Sequence, residues 1–276
     1  MPLEPVALFH AGPPKTATTW VYHLLKEHPQ IVTSAKDTIH YFDMHFTRGE
    51  DWYNAQFSTR NANEKGTIRF DPTYSYICSP RAPARIAAYN PHARVMVCLR
   101  DPIERAFSHY WHIKKQSGDP ALRFEDVLKH YNTYATWLEH GFVGIGLKAL
   151  YDALPRENIL ILRFDTLESD PEGTYKTIAD FAGLSADFRP SALHKKVNIA
   201  GAKTGFFQKN THRLAKHLLG ETRLNEMAKS SALIRLLSGK SEYIQGIDPE
   251  FRKTLEAVCA PEIQEIKRLT GVDLSP

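Results

Sequence analysis

The 276-residue sequence contains only three cysteines, Cys78, Cys98 and Cys259. They are few, odd in number and far apart, which excludes a disulfide framework and argues against a cysteine-based zinc site. A reducing compartment is the default expectation for such a chain. The thirteen histidines are scattered, and none shows H-x-x-x-H spacing with a third ligand, so no metal centre is expected. No window approaches ~20 apolar residues, so no membrane insertion is expected. The first residues, M-P-L-E-P-V-A-L-F-H, carry neither a basic region nor a small-residue cleavage site. These absences together give the expectation of a cytoplasmic protein. Charge of one sign is not in large excess either. A net charge of +4 fits an anionic ligand and an ordinary surface equally well, and it gives no reason to expect a nucleic-acid partner.

What is present suits one globular unit. Hydrophobic residues make up 42% and charged residues 24%, enough for a core without a disordered tract. The length predicts one domain over 1–276 with peripheral helices. Val6 to His10 is a short apolar run that ends in Ala-Gly-Pro-Pro and is expected to be a strand. Thr18 to His28 has apolar residues at 20, 21, 24 and 25, with Pro29 as a stop, which predicts a helix. Ile31 to Ser34, Thr67 to Asp71 and Asn158 to Phe164 are further strand segments. Arg94 to Leu99 is the clearest strand, apolar without alternation, as expected when both faces are covered. Helices are expected at Arg81 to Tyr89, from Asp101 as N-cap with Pro102 at the first helical position, and at Pro171 to Ala182. His194 to Lys209 has the composition of a loop, and the remainder is expected to be helical up to Gly271. Strands alternating with helices predict an α/β fold with a central, mainly parallel sheet flanked by helices and a helical C-terminal part. In such sheets ligands sit at the carboxyl ends of the strands. The loops after His10 and after Leu99 lie there.

The first of these loops, Gly12 to Thr19, reads G-P-P-K-T-A-T-T. Against the nucleotide pattern G-x-x-x-x-G-K-[ST], the first Gly and the final Thr match. The second Gly is replaced by Ala17, and the lysine has moved forward to Lys15. A strand-to-helix turn still gathers backbone N–H groups toward an anion, and Thr16, Thr18 and Thr19 add hydroxyls. A kinase needs the lysine at its usual place on the β/γ-phosphates and a Mg²⁺ held by the Ser/Thr and a second carboxylate, so the displaced lysine disfavours a P-loop nucleotide kinase.

P-K-T-A-T-T-W resembles the 5′-phosphosulfate loop of sulfotransferases that use 3′-phosphoadenosine 5′-phosphosulfate (PAPS). Arg100 at the end of a strand, with Ser108 eight residues on, resembles their 3′-phosphate site. The segments I-H-Y-F-D, D-P-T-Y-S-Y, R-F-D-T-L and D-P-E-G-T-Y extend the likeness along most of the chain, nearest to the heparan-sulfate type and its bacterial relatives. The resemblance implies a P-loop-like fold. It also implies transfer of a sulfuryl group to a hydroxyl or amine by in-line attack, with release of 3′,5′-ADP and no metal. It assigns the donor to Pro14, Lys15, Thr16, Ala17, Thr18, Thr19, Trp20, Arg100 and Ser108, with Lys203, or the backbone around Gly201 and Gly205, from a late basic loop. Lys15 would neutralise charge on the leaving phosphate oxygen.

Three departures matter. Ala17 stands where glycine is usual, which is costly only if φ is positive there. Pro72 stands where the animal enzymes carry a lysine that helps hold a polyanionic sugar. Thr38 stands where the heparan branch has a catalytic glutamate, and it cannot act as a base. Asp37 is the expected substitute, with His40 as the alternative. The acceptor, a small molecule or a saccharide, is left open. A catalytically inactive nucleotide- or glycan-binding relative is the non-enzymatic rival.

Overall fold

A computed structural model describes residues 4–34, 36–57, 66–119, 121–185, 187–193 and 246–275. Five strands form one sheet: β1 (Leu8–His10), β2 (Ile31–Thr33), β3 (Ile68–Asp71), β4 (Arg94–Leu99) and β5 (Ile159–Arg163). Their order is β2-β3-β1-β4-β5, and every pair is parallel. β1 lies at the centre, with Phe9 opposite both Asp71 of β3 and Val95 of β4.

The continuous apolar runs reflect burial on both faces. Phe9, Val95, Val97 and Leu99 point into one core, and Leu8, Phe70, Met96, Cys98 and Leu162 into the other. Strand side chains alternate between faces, so a run without polar breaks is what two covered faces require. The second core takes its helical part from α1 (Thr18–Glu27) and α8 (Pro171–Ala182). The first takes it from α3 (Ala82–Tyr89), α4 (Pro102–Ser117), α6 (Gly144–Ala153) and α9 (Pro249–Thr270). Three short helices complete the described set, α2 (Gly49–Asn54), with Tyr53 in the first core, α5 (Tyr131–Thr133), and α7 (Phe164–Ser169), with Leu167 in the second.

Helix ends follow local chemistry. The Asp101 carboxylate accepts from the N–H groups of Ile103 at 2.7 Å and Glu104 at 2.8 Å, capping α4. Gly118, Gly183 and Gly271 end α4, α8 and α9 in the left-handed conformation. Boundaries shift slightly from the sequence reading. β1 begins at Leu8 rather than Val6, and Phe164 opens α7 rather than closing β5. The expected loop at 194–209 lies outside the described residues.

Helix α6 presses on the turn after β3. A Cβ added at Gly146 would sit 1.8 Å from the Ile77 carbonyl oxygen. Gly146→Ala must therefore push helix and turn apart. Overpacking of this kind costs about 2–3 kcal/mol and should lower Tm by roughly 5–10 °C in scanning calorimetry.

Candidate active site

The loop between β1 and α1 carries unusual backbone geometry. Gly12 has φ +102°, and Lys15 (φ +71°) and Ala17 (φ +63°) are left-handed although neither is glycine. Left-handed residues at 15 and 17, with Thr16 between them, form the alternating pattern that gathers N–H groups into an anion-binding concavity. Trp20 and Val21 both donate their N–H groups to the Ala17 carbonyl. The first N–H groups of α1, at Thr18 and Thr19, have no hydrogen-bond acceptor among the described residues. Thr16 is buried, and its hydroxyl donates to the Pro13 carbonyl at 2.6 Å, bracing the loop from within. Pro14 is buried, and Trp20 packs in the core beneath α1.

Arg100, at the end of β4, joins the two anion-binding turns. Its Nη1 donates to the Lys15 carbonyl at 3.0 Å, and its guanidinium lies 4.1 Å from the centre of the Phe164 ring. Its acidic neighbours are engaged elsewhere. Asp101 caps α4, and Glu104 receives Arg252 at 2.7 Å. The guanidinium therefore has no ion-pair partner among the described residues. Beside it opens a cleft of about 330 Å³, lined in part by Leu99, Arg100, Phe164 and Asp165. Ser108 lies two turns into α4 and is buried. Burial lowers the Lys15 pKa, helped by the positive fields of Arg100, Arg105 and Lys115. Lys203 lies outside the described residues.

The sequence-predicted base candidates lie on residues 37–43, which do not line this cleft. Asp37 is exposed and makes no hydrogen bond among the described residues. His40 is half-buried, with φ +56°. Its Nδ1 lies 3.2 Å from Asp43 Oδ2 and 3.0 Å from Ser75 Oγ, and the Ser75 hydroxyl donates to the same Asp43 oxygen. With Nδ1 held by Asp43, Nε2 has no partner among the described residues. The hydrogen bond to Asp43 raises the His40 pKa, against the effect of burial. Burial alone would raise the Asp43 carboxyl, but hydrogen bonds from His40 and Ser75 hold it below its ordinary value.

A set of residues that the motifs did not point to lies along α4. Arg105, His109 and His112 follow one stripe of α4 with Ser108. The His109 ring lies 6.5 Å from His112 and 6.1 Å from His140. Burial pushes His109 down to about 3, with Arg105, His140 and Lys15 adding to the shift. Burial also lowers His112, and the field of Lys15 contributes. The positive field of Lys15 thus reaches both histidines of the α4 stripe. Arginine and histidine at i, i+4 and i+7 were the signal in the sequence that could have revealed them. No group of three or more residues able to hold a metal occurs among the described residues.

Residues 6–267 match the sulfotransferase domain family, and the chain belongs to it. It is 30% identical over 177 residues to human heparan sulfate glucosamine 3-O-sulfotransferase 6, covering 63% of this chain and 51% of that one. It is 26% identical over 200 residues to the bifunctional heparan sulfate N-deacetylase/N-sulfotransferase 4 of Mus musculus, covering 65% and 22%. Identity is 32% over 122 residues to the membrane-associated sulfotransferase kil1 of Dictyostelium discoideum, covering 42% and 26%. The chain thus spans about a fifth to a half of the length of these relatives. A sulfotransferase crystal structure from Alicyclobacillus acidocaldarius shares the fold, with a TM-score of 0.70 at 20% identity over 98% of this chain and 97% of that one.

The cytoplasmic location expected from the sequence is overturned by these relatives, which are heparan sulfate enzymes and a membrane-associated sulfotransferase. That expectation was built on the absence of a leader and of a long apolar run, and such absences do not fix a compartment. No described helix is long and apolar enough to cross a membrane.

Ala17 lacks the glycine that its left-handed backbone favours. The conformation costs an L-residue roughly 1–2 kcal/mol, part of which glycine returns as unfolded-state freedom. Ala17→Gly should therefore stabilise the protein by about 1 kcal/mol and raise Tm by about 2–4 °C.

Proposed function

We propose that this chain, acting as a single sulfotransferase domain, transfers a sulfuryl group from PAPS to a hydroxyl or amine, with a saccharide as the favoured acceptor class. The observation that carries this reading is the Arg100–Lys15 bond, which joins two anion-binding turns at the carboxyl edge of one parallel sheet. A nucleotide with phosphates at both its 3′ and 5′ ends needs two such sites side by side. Residues Lys15 to Thr19 would hold the 5′ end, and Arg100 with Ser108 the 3′ phosphate. The cleft beside Phe164 has room for the nucleoside. When bound, PAPS supplies an activated sulfuryl group on a good leaving phosphate.

Lys15 opposes the negative charge that grows on the leaving oxygen, in a partly desolvated position where such a charge counts for more than in water. The open Nε2 of His40 takes the proton of the acceptor, while Asp43 fixes the tautomer by receiving Nδ1–H. This arrangement favours His40 over Asp37 as the base, since Asp37 is exposed and unheld. Heparan enzymes among the relatives suggest a sugar. Pro72, in place of a sugar-binding lysine, points away from a polyanionic one.

Saturating 3′,5′-ADP in the presence of EDTA should stabilise the protein. At 100 times its dissociation constant the gain is about 2.7 kcal/mol, a Tm rise of roughly 5–10 °C. A kinase would instead require Mg²⁺ and ATP, and no rise with 3′,5′-ADP would reject the reading.

His40→Ala should reduce kcat by about 10²–10⁴-fold, whereas Asp37→Asn should change it less than about threefold. The base must be neutral, so kcat/KM should fall as pH drops through the raised His40 pKa. Asp43→Asn removes what raises that pKa, so the acid limb of the profile should move to lower pH. A limb that stays in place would exclude the pair.

A further inference from the structure

Asp71, at the end of β3, is a fully buried carboxylate with no cation beside it among the described residues. Its solvation comes instead from four donors. Oδ1 accepts from the Thr73 hydroxyl at 2.6 Å and the Thr73 N–H at 3.0 Å. Oδ2 accepts from the Tyr53 hydroxyl at 2.8 Å and the Tyr76 hydroxyl at 2.9 Å. An ionised carboxylate can only accept, so Thr73 and Tyr76 must both point their protons at it. Their oxygens are then turned outward as acceptors. The Thr73 oxygen receives the N–H of Ile39 at 2.9 Å and, more weakly, that of His40 at 3.4 Å. The Tyr76 oxygen receives the N–H of Tyr41 at 3.1 Å. Three consecutive backbone groups around the left-handed His40 are thus held by two hydroxyls whose direction one carboxylate dictates.

Resting on the reading of His40 as the base, we infer that Asp71 is a positioning residue for catalysis: through Thr73 and Tyr76 it fixes the backbone at 39–41 so that His40 meets Asp43 with Nε2 facing the transfer site. The role needs an acceptor-only group. Asparagine has nearly the same shape, but its amide hydrogens would face hydroxyl protons on one side. One of the two hydroxyls would have to turn, and its backbone partner would lose an acceptor. Tyr53 serves as a useful contrast, because it donates to the same oxygen while no backbone group of residues 39–41 bonds to it among the described residues.

The test compares Asp71→Asn, Tyr76→Phe, Thr73→Ser and Tyr53→Phe by three readouts that need no identified acceptor. These are NMR titration of His40, release of labelled sulfate from PAPS to water, and the dissociation constant of 3′,5′-ADP. Asp71→Asn and Tyr76→Phe should return the His40 titration toward the ordinary imidazole range and slow sulfate release at least tenfold. The dissociation constant of 3′,5′-ADP should change less than threefold. Thr73→Ser keeps the hydroxyl and should stay within threefold of the parent, as should Tyr53→Phe. In a His40→Ala background Asp71→Asn should cost nothing more, since the group it positions is gone. Should Asp71→Asn not fold, Tyr76→Phe carries the comparison. Folded variants with unchanged His40 titration and unchanged sulfate release, in a protein that His40→Ala does impair, would overturn this inference alone. Sulfate release untouched by His40→Ala would overturn the base assignment, and this inference with it.

Discussion

The Tyr74 carbonyl oxygen packs so tightly on Gly12 that a Cβ at Gly12 would lie 1.6 Å from it. No other residue fits there, whatever its φ. Three residues on, the Ile77 N–H donates to the Ala11 carbonyl at 3.0 Å. The turn that follows β3 is thereby fastened to the anion-binding loop. The same turn carries Thr73, Ser75 and Tyr76, which hold the segment around His40. The anion-binding loop and the segment around His40 are both held by one short stretch of chain, the turn after β3. Catalysis by positioned groups depends on that kind of rigidity.

The charge pattern of the cleft follows the same division. On the α4 side stand Lys15, Arg100, Arg105 and Lys115, with histidines whose pKa values burial lowers. This side suits an anion and repels further protons. On the other side the hydrogen bond to Asp43 raises the pKa of His40.

Much of the scaffold was legible because burial and capping leave local traces. β4 reads as an unbroken apolar run since both its faces are covered, and Asp101-Pro102 announces α4 because an N-cap acceptor and a fixed φ belong at a helix start. Lys15 was singled out by its place in a strand-to-helix turn, whereas Arg100 and Ser108 were expected only through the family resemblance. The pairing of His40 with Asp43 was not. It depends on a left-handed residue that no local rule assigns to histidine, and on hydroxyls delivered from the turn after β3, more than thirty residues away. The positive φ of Ala17 was hidden for a similar reason, since alanine by itself predicts the opposite sign. The histidine stripe of α4 was present as helical spacing but gains meaning only once Lys15 is brought against it.

A crystal structure with 3′,5′-ADP, grown without divalent metal, tests the central claim most directly. The account predicts the 5′-phosphate on the backbone of residues 15–19 and the 3′-phosphate between Arg100 and Ser108, with Nε2 of His40 facing the 5′-phosphate across open space. A nucleotide bound elsewhere, or one whose 5′ end is turned away from Lys15 and His40, would contradict it.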